Sequence, residues 1–306
     1  DVYKRQVNVL SGAADIGQGA ETVISQIVAE ELGVRLDDIR ITAADTGITP
    51  LDPGTFGSGV TVRAGNAARL AAAAAKQKLF NFLADKLEAN VADLVAKDRK
   101  IFVKGTPEKG ITFLEALKAY QYADLPMPIV GRGSWMAPAD EPTTLFKQDG
   151  NFAPNYSFMT QAAEVEVDLI TGQVKLVRMV TAHDCGQPIN PMLVEGQLEG
   201  SVVGGMGQAL YEDVIVQKGQ VMNPSFLDYG FPTFLEMPEI EAIEVETDDP
   251  IGPYGAKEAG EGTQLSPAPA IINAIYDAIG VDFMELPITP EKILDALEAK
   301  EKEGSN

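Results

Sequence analysis

Eleven residues in the last third of the chain combine four glycines with a carboxylate in a pattern that could hold a base against a bound group. The segment reads Gly-Pro-Tyr-Gly-Ala-Lys-Glu-Ala-Gly-Glu-Gly over residues 252–262, and an apolar stretch from Ala268 to Ile279 follows it. Glycines allow close backbone approach and positive φ angles, and a helix N-terminus offers unpaired N–H groups and the positive end of a dipole. Glu261 at such a loop-to-helix junction is a candidate general base, although an ordinary acidic helix start has the same pattern.

Two glycine-rich segments near the start of the chain could bind a ligand through the backbone. The first is Gly-Gln-Gly at residues 17–19, just before a predicted helix, where anions are commonly bound; its alternative is a plain turn with Gln18 in solvent. The second, residues 54–61, places small residues and hydroxyls before an Ala-rich stretch and could wrap phosphates or the edge of a ring. Its alternative is a capping loop in which Ser58 or Thr61 is the N-cap.

A third segment runs from Asp184 through the glycines at 196, 200, 204 and 207. These glycines recur every three or four positions and therefore line one helix face, where a flat ligand or another backbone could pack, with Gln197 beside them. A small-residue helix crossing is the alternative. His183 and Cys185 are better explained as buried packing residues than as metal ligands, because neither has a partner of its own kind.

The composition excludes several classes of protein. With 306 residues, 45% of them hydrophobic, the chain can bury a large core. A net charge of −21 without a basic stripe argues against nucleic acid as a partner, and no apolar run is suited to spanning a membrane. One cysteine and one histidine leave no internal disulfide, all-cysteine iron–sulfur site or structural zinc site.

The elements that must position these residues follow from periodicity and turn signals, and mixed long helices and hairpin-linked strands predict an α+β fold rather than a regular βαβ array. The predicted strands are Val7–Ser11, Ile39–Ala44, Ile101–Val103, Phe158–Asp168 and Val174–Ala182. The predicted helices are Ala20–Leu32, Ala64–Glu88, Phe113–Tyr120, Met192–Leu210, Ala268–Ile279 and Pro290–Glu298.

The predicted domain organisation is one lobe with short irregular ends. Residues 1–6 lack a pattern and are expected to be non-native or disordered, and residues 299–306 are expected to fray. Residues 7–298 form the lobe, with subdomains at about 7–150 and 151–298. Because the chain begins in mid-strand without Met, we expect it to be part of a longer protein.

Taken in order, these motifs resemble the molybdenum-binding subunit of the molybdenum hydroxylase (xanthine dehydrogenase/aldehyde oxidase) family. The resemblance covers nearly all of the chain from Val7 to about Leu297, and it implies the C-terminal lobe of the molybdopterin-binding domain, with an N-terminal half missing. Within the family, residues 60–67 and 252–262 look most like the α subunit of 4-hydroxybenzoyl-CoA reductase. This chain departs from that subgroup at Gly59, where the reductase-like pattern has Arg.

The resemblance also implies roles for individual residues. Glu261 matches the active-site glutamate that acts as general base, and Gln18 and Gln197 match glutamines that hydrogen-bond the cofactor near the metal. Lys257 would have a structural or electrostatic role only. The remaining matches to cofactor-binding positions are Gly17, Gly19, Gly57, Ser58, Gly59, Val60, Thr61 and Gly260.

The function that the resemblance implies is hydroxylation of an electron-poor carbon of an aromatic heterocycle or aldehyde, with water as the oxygen source. The cofactor would be molybdenum-molybdopterin, in its plain or cytosine dinucleotide form, while iron–sulfur clusters and FAD would belong to partner subunits of a cytoplasmic complex. Two alternatives remain: reductive dehydroxylation of an aromatic acyl-CoA, and a non-catalytic pterin-binding or scaffold module. The sequence does not name the substrate.

Overall fold

The computed structural model describes residues 6–123, 128–137 and 155–304, and the chain divides into two compact units. The first unit contains residues 1–156 and 248–257, and the second contains residues 157–247 and 258–306. The predictions for residues 1–5 and 305–306 lie outside the described residues. The return of residues 248–257 to the first unit is a feature that the sequence analysis did not predict.

The first half of the first unit packs two helices against a pair of parallel strands, in which Val7 lies opposite Ile39. Its elements are β1 (Val7–Ser11), α1 (Ala20–Leu32), β2 (Ile39–Ala43) and α2 (Val60–Lys86). Apolar residues of α1 and α2, including Ile24 and Ala64, form the core between them. Helix α2 begins four residues before its predicted start because Val60 and Val62 are buried, and this burial outweighs the low helix propensity of β-branched residues.

The rest of the first unit is an antiparallel three-stranded sheet with one helix. Its elements are β3 (Leu94–Lys97), β4 (Lys100–Val103), β5 (Thr106–Thr112) and α3 (Phe113–Gln121). Leu83 of α2, Ile101 of β4 and Ala116 of α3 belong to one buried cluster. Thr112 caps α3, and Glu115 completes a capping box with it.

The second unit is a three-stranded sheet covered by helices. Its elements are β6 (Met159–Val167), β7 (Val174–Asp184), α4 (Pro191–Leu210), β8 (Val216–Gln217), β9 (Gln220–Val221), α5 (Phe226–Tyr229), β10 (Glu239–Val245), α6 (Glu261–Gln264), α7 (Pro267–Ile279) and α8 (Pro290–Gly304). Strand β7 is central, antiparallel to β6 and parallel to β10. Met206 of α4, Ile271 of α7 and Ile293 of α8 are fully buried in its core.

The predicted α+β class is confirmed, and three local expectations change. Glu261 does not lead directly into the long apolar helix, because a separate short helix, α6, comes first. Strand β10, which the sequence analysis did not assign, joins the sheet. Helix α8 continues past its predicted end at Glu298, and an ion pair between Glu298 and Lys302 supports the added turn. None of the helices within the described ranges is long and apolar enough to cross a membrane.

Candidate functional site

Gln18, the first candidate cofactor residue, is half-buried and hydrogen-bonded within its own loop. Its Oε1 accepts from the N–H of Ile16 at 2.7 Å, and its Nε2 donates to the carbonyl of Ala14 at 3.3 Å. The side chain is therefore held by its own loop rather than extended into solvent. Because a side-chain amide has two N–H donors and an oxygen that can accept two hydrogen bonds, these contacts leave capacity for a ligand.

The N-terminus of α1 is occupied by a carboxylate of the chain itself. Asp15 accepts hydrogen bonds from the N–H of Gly17 at 2.9 Å and from the N–H of Glu21 at 3.2 Å. Burial acts to raise the pKa of Asp15, but the N–H groups that the carboxylate faces, first those of Gly17 and Glu21, hold that pKa below its usual value. The anion position that the sequence predicted beside Gln18 is thus filled internally.

The second glycine-rich loop is held by Thr55 and Arg63. Thr55 Oγ1 donates to the carbonyl of Ala14 at 2.7 Å, which ties this loop to the Gln18 loop. Arg63 Nη2 donates to the carbonyls of Gly54 at 3.3 Å and of Phe56 at 2.8 Å. The guanidinium therefore fixes the loop immediately before α2.

The same loop exposes its backbone at Gly57. Gly57 and Ser58 both have left-handed φ angles, 58° and 46°, and a Cβ built on Gly57 meets nothing within 4 Å. The N-cap of α2 is Gly59 without a side-chain bond, so the expectation that Ser58 or Thr61 caps the helix is wrong. The side chain of Val60 lies in the core, which leaves only its backbone for a ligand.

The glycine face of α4 is divided in two. A Cβ on Gly196 or Gly200 meets nothing within 4 Å, whereas one on Gly204 lies 3.0 Å from Gln264 Nε2, and one on Gly205 lies 2.5 Å from the Pro267 ring. The C-terminal part of α4 is therefore closely packed against Gln264 and Pro267, and the N-terminal part of the glycine face lies against open space. Gln197 lies beside that open part and is half-buried.

The segment 252–262 also divides, since its first six residues belong to the first unit and its last five to the second. In the first part the glycines make a turn: a Cβ on Gly252 would lie 1.6 Å from the carbonyl oxygen of Ala256. The buried Asn66 of α2 holds the preceding residue, donating to the carbonyl of Ile251 at 2.8 Å. These residues serve the backbone path of the first unit.

Glu261 is the first residue of α6, and its side chain is exposed. Gly260 before it has φ 142° and ψ −92°, a conformation that side-chain-bearing residues rarely adopt. The hydroxyl of Ser201 lies 2.8 Å from the carbonyls of both Gln197 and Gly260. The structure thus brings the helix of Gln197 and the segment of Glu261 together within the second unit.

His183 and Cys185 are buried, as predicted, but His183 does more than pack. Its Nε2 lies 2.9 Å from the carbonyl oxygen of Glu258, three residues before Glu261. Burial, and secondarily the charge of Glu244, raises the pKa of the Cys185 thiol to about 11, so this cysteine is not a reactive thiolate. Over residues 6–123, 128–137 and 155–304, no group of three or more His, Cys, Asp or Glu side chains could hold a metal ion.

Gln161, Ser201 and the hydrogen bond of His183 were not predicted from the sequence as parts of this site. A usable signal existed on the paired strands. Gln161 lies opposite Thr181, and Met159 lies opposite His183, so alternation places three polar residues on a face that is otherwise buried. Polar side chains on such a face need hydrogen-bond partners, and here they find them in the carbonyls of Glu258 and Thr263.

The comparisons with known proteins agree on one family. Residues 3–238 match the molybdopterin cofactor-binding domain. The chain is 34% identical over 294 residues to the putative xanthine dehydrogenase molybdenum-binding subunit of Escherichia coli K12, covering 94% of this chain and 37% of that protein. It is 35% identical over 301 residues to subunit gamma of the 6-hydroxypseudooxynicotine dehydrogenase complex of Paenarthrobacter nicotinovorans, with 97% and 37% covered.

A solved structure is similar over the same extent. The quinoline 2-oxidoreductase of Pseudomonas putida 86 superposes with a TM-score of 0.83 and 31% sequence identity, covering 96% of this chain and 37% of that one. The chain therefore spans little more than a third of the length of the proteins it matches.

Proposed function

This chain belongs to the molybdopterin cofactor-binding domain family, and on that premise we propose that it is part of the molybdenum-cofactor subunit of an oxidoreductase. The reaction is hydroxylation of an electron-poor carbon of an aromatic heterocycle or aldehyde, with water as the oxygen source and Glu261 as general base. The observation that carries the proposal is the placement of Glu261: it is an exposed carboxylate at the start of a short helix, and its segment is joined through Ser201 to the helix of Gln197.

The donors that the chain offers fit this cofactor. The candidate loops provide amides, hydroxyls and backbone N–H groups, and Gly57 and Gly200 have open space in front of them, so a large ring system or a pyrophosphate can approach the backbone there. The described ranges contain no cluster of metal-ligating side chains, which suits a metal carried by the dithiolene of its own pterin. When bound, the cofactor supplies a two-electron redox centre.

The residues of the chain have separate tasks in this proposal. Gln18 and Gln197 donate hydrogen bonds to the cofactor, with the backbone of the 57–61 loop and Gly260 against it. Glu261 accepts the proton of the attacking water at its carboxylate, and a positioned base of this kind contributes about 10²- to 10⁴-fold to rate. The single cysteine of the chain cannot hold an iron–sulfur cluster, so those clusters and FAD would lie on partner subunits, or on a part of the same protein outside this chain, in a cytoplasmic complex.

The reductase subgroup is a weaker candidate because this chain has Gly59 where the reductase-like pattern has Arg. Reductive dehydroxylation of an aromatic acyl-CoA is therefore retained as an outcome of the test.

The test is the molybdenum and pterin content of the full-length subunit, purified with its partner subunits. We expect stoichiometric molybdenum, with a reduced content in Gln18→Ala and Gln197→Ala. Glu261→Gln should keep the metal and lose roughly 10²-fold or more in kcat. Dye-coupled turnover of benzaldehyde, xanthine and quinoline would reveal the hydroxylase direction, and reduction of an aromatic acyl-CoA would reveal the alternative. A folded complex without molybdenum would contradict the proposal and leave a scaffold.

A further inference from the structure

Three backbone carbonyls around Glu261 each accept a hydrogen bond from a side chain of a different element. His183 of β7 contacts the carbonyl of Glu258 at 2.9 Å, Ser201 of α4 contacts that of Gly260 at 2.8 Å, and Gln161 of β6 contacts that of Thr263 at 3.0 Å. All three side chains come from elements that precede the segment by 59 to 102 positions. Within six residues, the backbone on both sides of Glu261 is thus fixed by the sheet and by α4.

The contact of His183 determines which ring nitrogen carries a hydrogen. A carbonyl oxygen only accepts, so Nε2 must donate, and in the neutral ring Nδ1 is then an acceptor. His183 is fully buried, and the same Nε2 lies 3.4 Å from Oε1 of Glu258. The ring therefore holds the backbone of Glu258 and lies close to its carboxylate.

The side chain of Glu258 folds back across the segment. A Cβ on Gly262 would lie 2.3 Å from Glu258 Oε1 and 3.2 Å from the methyl group of Met159. Glycine at 262 leaves room for the Glu258 carboxylate, and glycine at 260 has φ 142°, a backbone conformation that side-chain-bearing residues rarely adopt. Both glycines on either side of Glu261 are explained by the path that the buried side chains impose.

This polar network lowers the free energy of unfolding. Four of its buried atoms have no hydrogen-bond partner among the described residues: Gln161 Oε1, His183 Nδ1, Glu258 Oε2 and Thr263 Oγ1. An unpartnered buried polar atom costs about 1–3 kcal/mol, and apolar side chains of similar volume would avoid that cost. Stability alone therefore does not account for polar residues at these positions.

We propose that His183, Gln161 and Ser201 are positioning residues that hold the carboxylate of Glu261 in its reactive position. The hydrogen bonds around Glu261 are observed independently of any function, whereas the role of its carboxylate in the reaction rests on the proposed function. Misplacing a reacting group by about 1 Å can cost on the order of 10²-fold in rate, so bonds that fix the neighbouring backbone act on kcat without touching the substrate.

The test uses the full-length protein with its partner subunits and the variant His183→Leu, which removes the donor. We expect the peptide covering residues 258–265 to exchange its amide hydrogens roughly tenfold faster or more, and kcat to fall about 10- to 100-fold. KM and molybdenum content should stay within about threefold of the wild-type values, since no contact to cofactor or substrate is removed. His183→Gln, which returns an N–H donor, should restore slow exchange and most of kcat.

Two further variants keep the test decisive. Ser201→Ala removes only a hydroxyl and should loosen the same peptide to a smaller degree, so it decides the matter where His183→Leu does not fold. Thr160→Val, on the exposed face of β6, is the matched control and should change neither quantity. Wild-type exchange over 258–265 in both His183→Leu and Ser201→Ala would overturn the proposal, whatever their activity.

The two proposals fail in different ways. Absence of molybdenum from the wild-type complex defeats the proposed function, while the exchange comparison still tests the positioning network. A molybdenum-loaded His183→Leu protein with full kcat and tight exchange defeats the positioning network and leaves the proposed function standing.

Discussion

The two regions that carry the candidate site residues differ in how far away in sequence the hydrogen-bond partners that hold them are. In the first unit, the loops around Gln18 and Gly57 are held mostly by bonds to near neighbours in sequence, such as Gln18 to Ile16 at a separation of 2 and Arg63 to Phe56 at a separation of 7. In the second unit, the segment around Glu261 is held by side chains 59 to 102 residues away. The loops keep their backbone exposed, whereas the segment is fixed from a buried sheet.

The difference matches the tasks assigned to the two regions. A loop that receives a large cofactor needs accessible N–H groups and room for a close approach, and local bonds provide shape without covering it. A general base must be held within a fraction of an ångström, and bonds from rigid elements provide that. The two regions should therefore respond differently to comparable substitutions.

The largest contrast should come from one positive-φ glycine in each region. Gly260→Ala forces a side chain into φ 142°, ψ −92° and should cost about 1–3 kcal/mol, with faster amide exchange over residues 258–265. Gly57→Asn, at φ 58° with open space in front, should cost under about 1 kcal/mol, because Asn tolerates the left-handed region. Thermal unfolding of the two variants compares them. Equal losses would contradict the distinction between a fixed and an adaptable segment.

An intermediate effect is expected when Arg63, which holds the loop before α2, is replaced. Arg63→Ala loses the bonds to the carbonyls of Gly54 and Phe56 and the stacking of the guanidinium 4.6 Å from the Phe56 ring. We expect about 1–2 kcal/mol of lost stability and faster proteolysis within residues 54–59. Arg63→Lys is the control: it keeps the charge but cannot span both carbonyls, so it should recover only part of the loss. Unchanged proteolysis in Arg63→Ala would show that Thr55 alone holds the loop.

A smaller effect, of opposite sign, is expected on α4. Gly200→Ala adds a Cβ into open space and should raise stability by about 0.5–1 kcal/mol, because alanine has the higher helix propensity. Gly205→Ala is the matched control in the same helix, and it should destabilise, since its Cβ would lie 2.5 Å from the Pro267 ring. Two unfolding midpoints decide the matter. Destabilisation by Gly200→Ala would mean that the open part of the face is covered.

The same contrast explains which features the sequence could predict. Local periodicity and turn signals located helices Ala20–Leu32 and Met192–Leu210 to within one residue of the observed bounds. This was possible because an amphipathic pattern, and the Gly or Pro that ends a helix, involve residues that are close together in the sequence. The bounds and pairing of strand β10 were not predicted, since its place in the sheet depends on pairing with β7, far away in sequence. Glu261 was found from its motif, but its supports were not.

The roles of His183 and Gln161 could not be read from one sequence for the same reason. Each makes its bond to a carbonyl more than seventy residues away. Because every residue has a backbone carbonyl, the sequence does not indicate which one will be the acceptor. Motif reading therefore finds exposed groups that could do chemistry, and it misses the buried groups that hold them. It also placed an anion site at the start of α1 without foreseeing that Asp15 would fill it.

The smallest expected effect concerns Asp15, whose carboxylate accepts hydrogen bonds at the start of α1, and it tests whether this part of the first region is held by local bonds. The pKa of Asp15 is lowered in the folded protein, so its contribution to stability is fully present above its unfolded value of 3.8 and is lost as the pH falls through the lower folded value. Asp15→Asn, which keeps a capping side chain without the charge, should therefore be slightly less stable than wild type at pH 7 and equal to it near pH 2. Denaturant unfolding at the two pH values measures the difference. Because Asp15 is exposed, the difference should shrink at high salt, and a difference that persists near pH 2 would assign the loss to geometry rather than to charge.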